Sequence, residues 1–201
     1  MFSWLFPNTC AFCQHPVEKT VVCCEYCQRL LPKVPFPSEM NAAFYYEPPI
    51  ERTILQLKFH GQLGHANTLA QLFIEHLKSH PRQAFPTRLI PIPLHPKRLC
   101  SRGFNQASEI ARIVAKYFSM NLDLTSCVRV KNTKPQSELP SNKRAKNVKN
   151  AFALRHPISD QHVAVFDDVI TTGNTINELT RLLNDVGIDT VERWGIAKTK
   201  W

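Results

Sequence analysis

Two adjacent carboxylates, Asp167 and Asp168, stand between an apolar run and a turn that is rich in hydroxyl groups. Residues 163–166 before them are all apolar, which is typical of a parallel strand buried on both faces. Open α/β sheets bind their ligands at the carboxyl ends of such strands. We therefore predict that the acid pair lies at the carboxyl end of a parallel strand, where its oxygens can accept hydrogen bonds from the vicinal hydroxyls of a ribose.

The turn that follows the acid pair is predicted to bind phosphate. Its polar residues and its glycine are Thr171, Thr172, Gly173, Asn174 and Thr175. Backbone N–H groups at the start of the next helix favour an anion, and the threonine hydroxyls add hydrogen-bond donors. The glycine allows the backbone to approach the ligand closely. The whole segment predicts a sugar-phosphate site; the alternative is a polar turn in which the aspartates only cap the helix.

A second polar segment carries cations that could bind an anionic ligand. Lys97, Arg98 and Arg102 follow a predicted strand over residues 88–93, in what the sequence indicates is a flexible turn. Ammonium and guanidinium groups neutralise phosphate oxygens, and arginine adds bidentate contacts. Asn105 and Gln106 are expected to anchor the next helix. The alternative is a solvated basic turn without a ligand.

Four cysteines near the start of the chain are spaced like metal ligands. They form two C-x-x-C pairs, each of which can present two thiolates to one tetrahedral Zn²⁺. The predicted ligands of this structural zinc ion are Cys10, Cys13, Cys24 and Cys27. Cys23 stays open as an alternative to Cys24, because Cys23 and Cys27 would form a C-x3-C pair, and His15 is a weaker substitute ligand.

The chain divides into two parts. Residues 1–37 are predicted to form the zinc module and a linker stiffened by proline, and residues 38–201 an α/β domain. Apolar periodicity predicts helices near residues 50–61, 69–77, 105–118 and 176–186, and strands near residues 88–93, 163–166 and 190–197. Strands that alternate with helices indicate a mostly parallel sheet flanked by helices.

Composition and charge narrow the class of protein. An apolar fraction of 43% indicates a globular protein, and no apolar run approaches the roughly 20 residues of a membrane span. The apolar start, residues 1–7, lacks the features of a signal peptide, so a cytoplasmic location is expected. A formal net charge of +9 favours an anionic partner such as single-stranded DNA. Phe12, Tyr26 and Arg29 of the zinc module are candidate contacts for such a strand.

These motifs, in this order, resemble the ComF/GntX-like family over nearly the whole chain. That family pairs an N-terminal four-cysteine zinc module with a type I phosphoribosyltransferase domain. Residues 167–175 look like its phosphoribosyl-pyrophosphate (PRPP) loop, and the segments 58–61, 102–106 and 133–136, with Asn147, agree with the family pattern. The resemblance implies a phosphoribosyltransferase-like fold and a role in natural competence, DNA uptake and DNA utilisation.

The resemblance also implies roles for individual residues. Asp167 and Asp168 would hold ribose hydroxyls or Mg²⁺-bound water, and Lys97, Arg98 and Arg102 would belong to the pyrophosphate loop. The long polar segment 130–147 would close over the ribose as a mobile loop. Purine-salvage relatives carry an acid where this chain has Thr171, so transfer to hypoxanthine or guanine is not expected.

Two functions agree with these features. The first is a PRPP-dependent transferase, with Mg²⁺, whose acceptor the sequence does not identify. The second is a non-enzymatic adaptor for natural transformation, with PRPP as a regulatory ligand. Such an adaptor would bind single-stranded DNA through Lys143, Arg144 and Lys146, and its candidate protein partners are a competence helicase or DNA-processing proteins.

Overall fold

The computed structural model describes residues 8–18, 21–36, 40–133 and 147–200. Its strands are β1 (Asn41–Tyr45), β2 (Arg88–Pro91), β3 (Asn121–Leu122), β4 (Cys127–Arg129), β5 (Phe152–Leu154), β6 (His162–Ile170) and β7 (Thr190–Lys198). Its helices are α1 (Glu25–Leu30), α2 (Ile50–His60), α3 (Gly64–Lys78), α4 (Pro96–Arg102), α5 (Gln106–Tyr117) and α6 (Asn174–Asp185).

A five-stranded sheet with the order β1-β7-β6-β2-β3 forms the centre of the fold. Every neighbouring pair in it is parallel. Parallel neighbours require crossover connections, which α5 supplies between β2 and β3 and α6 supplies between β6 and β7. The predicted fold class, a phosphoribosyltransferase-like parallel sheet flanked by helices, is confirmed. Strands β4 and β5 form a separate antiparallel pair.

Helices cover both faces of the sheet, which explains why its central strand is a continuous apolar run. Ala164 and Phe166 of β6 point into the core beneath α2, α3 and α5, together with Trp194 of β7. Val163 and Val165 alternate with them and pack under α6 and the β4–β5 pair. Burial on both faces therefore holds β6 rigidly in place and positions whatever side chains follow its apolar residues.

Two local features differ from the sequence-based expectation. The predicted flexible basic turn is wrong, because residues 96–102 form helix α4. Pro96 occupies its first turn, the His95 side chain accepts from the backbone N–H of Lys97, and Gly103 ends it with φ = 83°. The predicted strand 163–166 is also too short, since β6 continues through the acid pair to Ile170.

The N-terminal module packs directly against the α/β core. Cys10, Cys23 and Leu31 are buried in the same apolar cluster as the helices on that face. The expected linker runs alongside β1. Val34 donates its N–H to the carbonyl of Ala43 at 3.0 Å, and Tyr45 donates its N–H to the carbonyl of Pro32 at 2.7 Å. Among the described residues, no helix is both long and apolar enough to cross a membrane.

Candidate functional site

A cavity of about 420 Å³ opens where β2 and β6 end side by side. The chain leaves β2 towards α5 on one face of the sheet and leaves β6 towards α6 on the other face. Such a change of direction opens a crevice at the carboxyl ends of parallel strands, where α/β proteins bind their ligands. Asp167 and Asp168 line this crevice, as the sequence predicts for an acid pair at the carboxyl end of a parallel strand.

The two aspartates lie in different electrostatic surroundings. Asp168 is buried, and its Oδ2 is 2.8 Å from the ammonium Nζ of Lys58 on α2. Burial alone would raise the pKa of Asp168, but the charge and hydrogen bond of Lys58 outweigh it and hold that pKa below its usual range. Burial and the neighbouring Asp168 charge raise the pKa of Asp167 well above its usual range. The pair thus combines a firmly ionised carboxylate with one that needs hydrogen-bond donors or a cation.

A hydrogen-bonded chain connects the acid pair to the cations of the cavity. Gln106, at the start of α5, donates through Nε2 to Asp168 Oδ1 at 3.4 Å and accepts from Arg102 at 2.8 Å. Asn105 caps the same helix through Ala107 N–H, and its amide donates to the carbonyl of Ile92 at 2.9 Å. The Asn105 bond attaches α5 to the residue that follows β2, and the Gln106 bonds fix Arg102 relative to Asp168.

The cavity carries more positive charge than its own acids neutralise. Arg98, Arg102 and Arg129 line it together with Lys58. Burial and the nearby Arg98 guanidinium lower the pKa of Arg102 and that of Arg129, although an aspartate partly opposes the shift in each case. Guanidinium groups that repel one another in a partly buried space are stabilised by a polyanion. The arrangement therefore favours a phosphorylated ligand.

The hydroxyl-rich turn is shorter than the sequence indicates, because Asn174 and Thr175 already belong to the first turn of α6. Gly173 has φ = 72°, a left-handed conformation that favours glycine. A Cβ atom at this position would also lie 2.6 Å from Cε of Met40, so a larger residue would require the Met40 side chain to move. The turn is thus held closely beside the acid pair.

The structure brings most of the predicted site residues together. Those that line the cavity are Asp167, Asp168, Thr171, Thr175, Arg98 and Arg102. Gly173 lines a small adjoining cleft with Asp167 and Thr171. Thr172 and Asn174 instead bond to each other, with Asn174 Nδ2 donating to Thr172 Oγ1 at 2.8 Å. Lys97 is exposed and does not line the cavity.

Sequence reasoning assigned no site role to Tyr46, Lys58 and Arg129, which line the cavity, and gave Asn105 and Gln106 only a role in anchoring α5. Lys58 belongs to the segment 58–61 that supports the family resemblance, and that was its only signal. Arg129 comes from β4 and also donates to Thr133 Oγ1. Lys143, Arg144 and Lys146, the predicted DNA contacts, lie outside the described residues.

The candidate metal centre lies in the N-terminal module. The sulfur atoms of Cys10, Cys13, Cys24 and Cys27 all lie within 4.8 Å of one another. Cys13 Sγ and Cys24 Sγ are 3.7 Å apart, and a tetrahedron of 2.3 Å zinc–sulfur bonds has an edge of about 3.8 Å. The group therefore has the size of a tetrahedral metal site.

The surroundings of one of these sulfurs, that of Cys10, favour the thiolate, whereas burial and the neighbouring sulfurs raise the pKa of Cys27. Burial raises the pKa of Cys10, but backbone N–H groups of Cys24, Cys13 and Phe12 donate to its sulfur and lower that pKa to about 6. Cys23 is buried, and its thiol donates to the carbonyl of Cys24 at 3.5 Å. Of the two open alternatives, the structure thus places Cys24 in the sulfur cluster and Cys23 in the core.

The three proposed DNA contacts of this module lie in different surroundings. Tyr26 is 71% exposed. Arg29 is also exposed and forms an ion pair with Glu25 at 3.4 Å. Phe12 is partly buried and packs against the core. Among the described residues of the module, Tyr26 is the most exposed aromatic ring.

Comparison with known proteins identifies the class of the α/β domain. Residues 102–193 match the family described as the phosphoribosyl transferase domain. The matched region includes the acid pair, Arg102, Gln106 and Arg129. It begins after Lys58 and after the cysteine module.

Relatives cover most of the chain and include the module. The chain is 31% identical to the DNA utilization protein YhgH of Salmonella typhi, over 94% of this chain and 90% of that protein. It is 31% identical to Competence protein F of Haemophilus influenzae, over 93% and 84%, respectively. It is 26% identical to Competence protein ComFC of Streptococcus pneumoniae, over 79% and 67%. The chain belongs to this ComF-like family of phosphoribosyltransferase-domain proteins.

Proposed function

We propose that the cavity binds PRPP together with Mg²⁺ and that the protein is a PRPP-dependent transferase. The observation that carries this proposal is the position of the acid pair, which faces the arginines across one crevice at the end of β6. Asp167 and Asp168 would accept hydrogen bonds from the ribose hydroxyls. The turn at Thr171–Thr175 would hold the 5′-phosphate, and Arg98 and Arg102 the diphosphate. Lys97 lies outside the cavity and would contribute only long-range attraction.

The charges of the cavity fit both components of this ligand. The pKa of Asp167 is raised because this carboxyl is buried beside the negative Asp168. A sugar hydroxyl or a divalent cation would stabilise its charged form. Mg²⁺ prefers oxygen ligands, which the carboxylates and the phosphates supply, and it would neutralise charge on the diphosphate. The cations of the cavity would balance the remaining negative charge of PRPP.

The same residues support a defined transfer step. The bond between C1 of the ribose and the diphosphate oxygen breaks, the diphosphate leaves with the bonding electrons, and the acceptor supplies the electron pair of the new bond to C1. Arg98 and Arg102 would stabilise the departing charge, and Asp167 and Asp168 would hold the ribose in a fixed orientation. Thr171 offers no proton acceptor for a purine base, so we propose an acceptor other than hypoxanthine or guanine.

Isothermal titration of PRPP with Mg²⁺ tests the binding step. We expect saturable binding by the wild-type protein and at least about a tenfold loss of affinity in Asp167→Asn, which keeps the size of the side chain but removes its charge. Asp185→Asn, an exposed acid on α6, is the matched control and is expected to bind like the wild type. Absence of binding by folded wild-type protein would overturn the proposal. Once PRPP binding is established, release of pyrophosphate in an acceptor screen tests the transfer step.

A role in natural competence and DNA utilisation is a second part of the proposal. It is supported by the names of the relatives in Salmonella and Haemophilus and by the formal charge of +9. In this reading the protein binds single-stranded DNA and acts beside a competence helicase or DNA-processing proteins, with PRPP as substrate or regulatory ligand. Affinity for a labelled single strand should fall steeply with salt concentration if phosphate contacts carry it. A salt-independent affinity would contradict this part.

We also propose that the four-cysteine group binds zinc and that this ion has a structural role. The observation that supports it is the spacing of the sulfurs, together with a donor set of four thiolates. Purified protein should contain one zinc ion per chain by elemental analysis. A stoichiometry near zero in folded protein would argue against the assignment.

A further inference from the structure

A second cavity of about 320 Å³ adjoins the first, between the carboxyl end of α2 and helix α4. The residues of its lining that carry the argument are Lys58, Phe59, His60, Arg98, Ser101 and Arg102. Four of these, Lys58, Phe59, Arg98 and Arg102, also line the first cavity. The two spaces therefore share their cations and form one continuous surface.

Phe59 is the unusual member of this lining. Its side chain is 67% exposed, although the neighbouring residues of α2 on the other side of the helix are fully buried. The guanidinium carbon of Arg102 lies 5.7 Å from the centre of the Phe59 ring, within cation–π distance. The rest of the ring faces solvent. A large aromatic group so exposed beside arginines is the arrangement on which unpaired bases stack.

The charges around Phe59 define what the second cavity can accept. Among the residues that the structure describes, its lining contains two arginines, a lysine and a histidine, and no carboxylate. A free diphosphate would use the cations but would leave the ring without a function. An apolar ligand would use the ring but would not use the charges of Arg98 and Arg102. A nucleotide uses both, because its base stacks on the ring while its phosphate contacts the guanidinium groups.

We propose that the second cavity binds a nucleotide, with its base stacked on Phe59 and its phosphate held by Arg98 and Arg102. This inference rests on the proposed sugar-phosphate site, since the two cavities share both arginines. It places the nucleotide-binding surface at the mouth of the PRPP cavity instead of on the cysteine module. The nucleotide is either a free mononucleotide or an unpaired unit of single-stranded DNA, because both present the same base and phosphate.

A comparison of bases with abasic sites separates stacking from charge. Fluorescence anisotropy would measure the affinity for a labelled oligodeoxythymidylate and for an abasic oligomer of equal length and charge. We expect the wild-type protein to bind the thymidylate at least about fivefold more tightly, the ratio that about 1 kcal/mol of stacking gives. Phe59→Leu should reduce this ratio to about one, and Phe59→Trp, which keeps an aromatic face, should preserve it.

Controls keep the outcomes distinct. Tyr26→Leu removes the exposed ring of the cysteine module and should leave the ratio unchanged; loss of the ratio in this variant and not in Phe59→Leu would overturn the proposal. An equal affinity of the wild-type protein for both oligomers would also overturn it. Because the Phe59 side chain is mostly exposed, Phe59→Leu is expected to keep the wild-type melting temperature.

Two further titrations identify the source of the nucleotide and protect the test from the fate of the proposed function. Displacement of the oligomer by thymidine monophosphate would identify a free nucleotide as ligand, and displacement by longer strands alone would identify DNA; either outcome supports the proposal. PRPP with Mg²⁺ is titrated into the same preparation. Absence of PRPP binding in this titration would overturn the proposed function. Equal affinity for the thymidylate and the abasic oligomer would overturn only the assignment of Phe59.

Discussion

The cysteine group and the acid-pair cavity are built in opposite ways. All four sulfurs come from one short turn and from the start of α1, and residues 10–27 contain the whole group. The cavity draws its charged and polar groups from α2, α4, α5, β4 and β6, so that Lys58 and Asp168 meet across 110 positions of sequence. The first site depends on local spacing, and the second depends on the packed sheet.

This difference has an energetic meaning. A module made of one turn and one short helix has little apolar surface of its own, so the proposed ion would supply much of the free energy that orders it. The acid-pair cavity needs no ligand to assemble, because β6 is buried on both faces and α5 is tied to β2 by Asn105. Binding there uses a preorganised site.

The largest expected effect is loss of the ion. Cys10→Ser should lower the zinc content from one per chain to near zero, and limited proteolysis should then cut within residues 8–31. Structural zinc in small modules binds with about 10–16 kcal/mol, so no remaining contact can replace it. Cys100→Ser, an exposed cysteine outside the cluster, is the control and should keep the ion.

The same variant tests whether the two regions are independent. None of the described residues of the module lines the acid-pair cavity, so PRPP affinity should change by less than about threefold in Cys10→Ser. Loss of PRPP binding together with zinc would contradict this. It would show that the core shared by Cys10 and Cys23 transmits the disorder of the module to the sheet.

A smaller but still large effect is expected within the cavity. Asp168→Ala leaves the mostly buried ammonium of Lys58 without its partner, which should cost about 3 kcal/mol of unfolding free energy. Urea denaturation measures it. The double variant Lys58→Met/Asp168→Ala should recover part of that loss. An unchanged urea midpoint in Asp168→Ala would show that the pair contributes nothing to the free energy of unfolding.

Next in size is the difference between two neighbouring cations. Arg102→Ala should weaken PRPP binding about tenfold or more, because Arg102 lines the cavity and bonds to Gln106. Lys97→Ala should weaken it by less than about threefold, since Lys97 is exposed and lies outside the cavity. Titration calorimetry compares them. Equal losses of PRPP affinity in the two variants would mean that bound PRPP extends beyond the cavity.

The smallest expected effect has the opposite sign. Because the pKa of Asp167 is raised in the folded state, its charge opposes folding at any pH above that value. Asp167→Asn should therefore raise Tm of the ligand-free protein at pH 8 by about 2–4 °C, as about 1 kcal/mol does at this size. The gain should shrink as the pH falls through the raised pKa of Asp167 and vanish near pH 4, where the unfolded carboxyl of the wild type is also protonated.

Asp160 provides the matched control for this prediction. Burial raises its pKa, but hydrogen bonds from Thr87 and Arg88 and the charge of Arg88 outweigh it and lower the pKa. Asp160→Asn should therefore lower Tm at pH 8, and this difference should disappear in acid. A fall in Tm for Asp167→Asn at pH 8 would show that the like charges of the pair are already compensated.

Individual residues show how far sequence patterns reach into this fold. The apolar run at residues 163–166 predicted the central strand, because burial on both faces requires apolar residues at consecutive positions. Helix α4 escaped prediction since it has only seven residues and no apolar stripe; its signals were Pro96 and Gly103. Sequence alone also left Cys23 and Cys24 as alternatives, because either spacing allows ligation and only packing places one sulfur in the core.

The sequence by itself determined the chemistry of both sites: four thiolates at metal-ligand spacing, an acid pair after a buried strand, and a hydroxyl-rich turn before a helix. These are local patterns, and a strand or turn forms within a few residues of chain. Only the tertiary structure decided which cations meet the acids, why Gly173 is confined by Met40, and that Phe59 is exposed beside Arg102. Contacts between distant segments arise from the packing of the whole sheet, and no spacing along the chain encodes them.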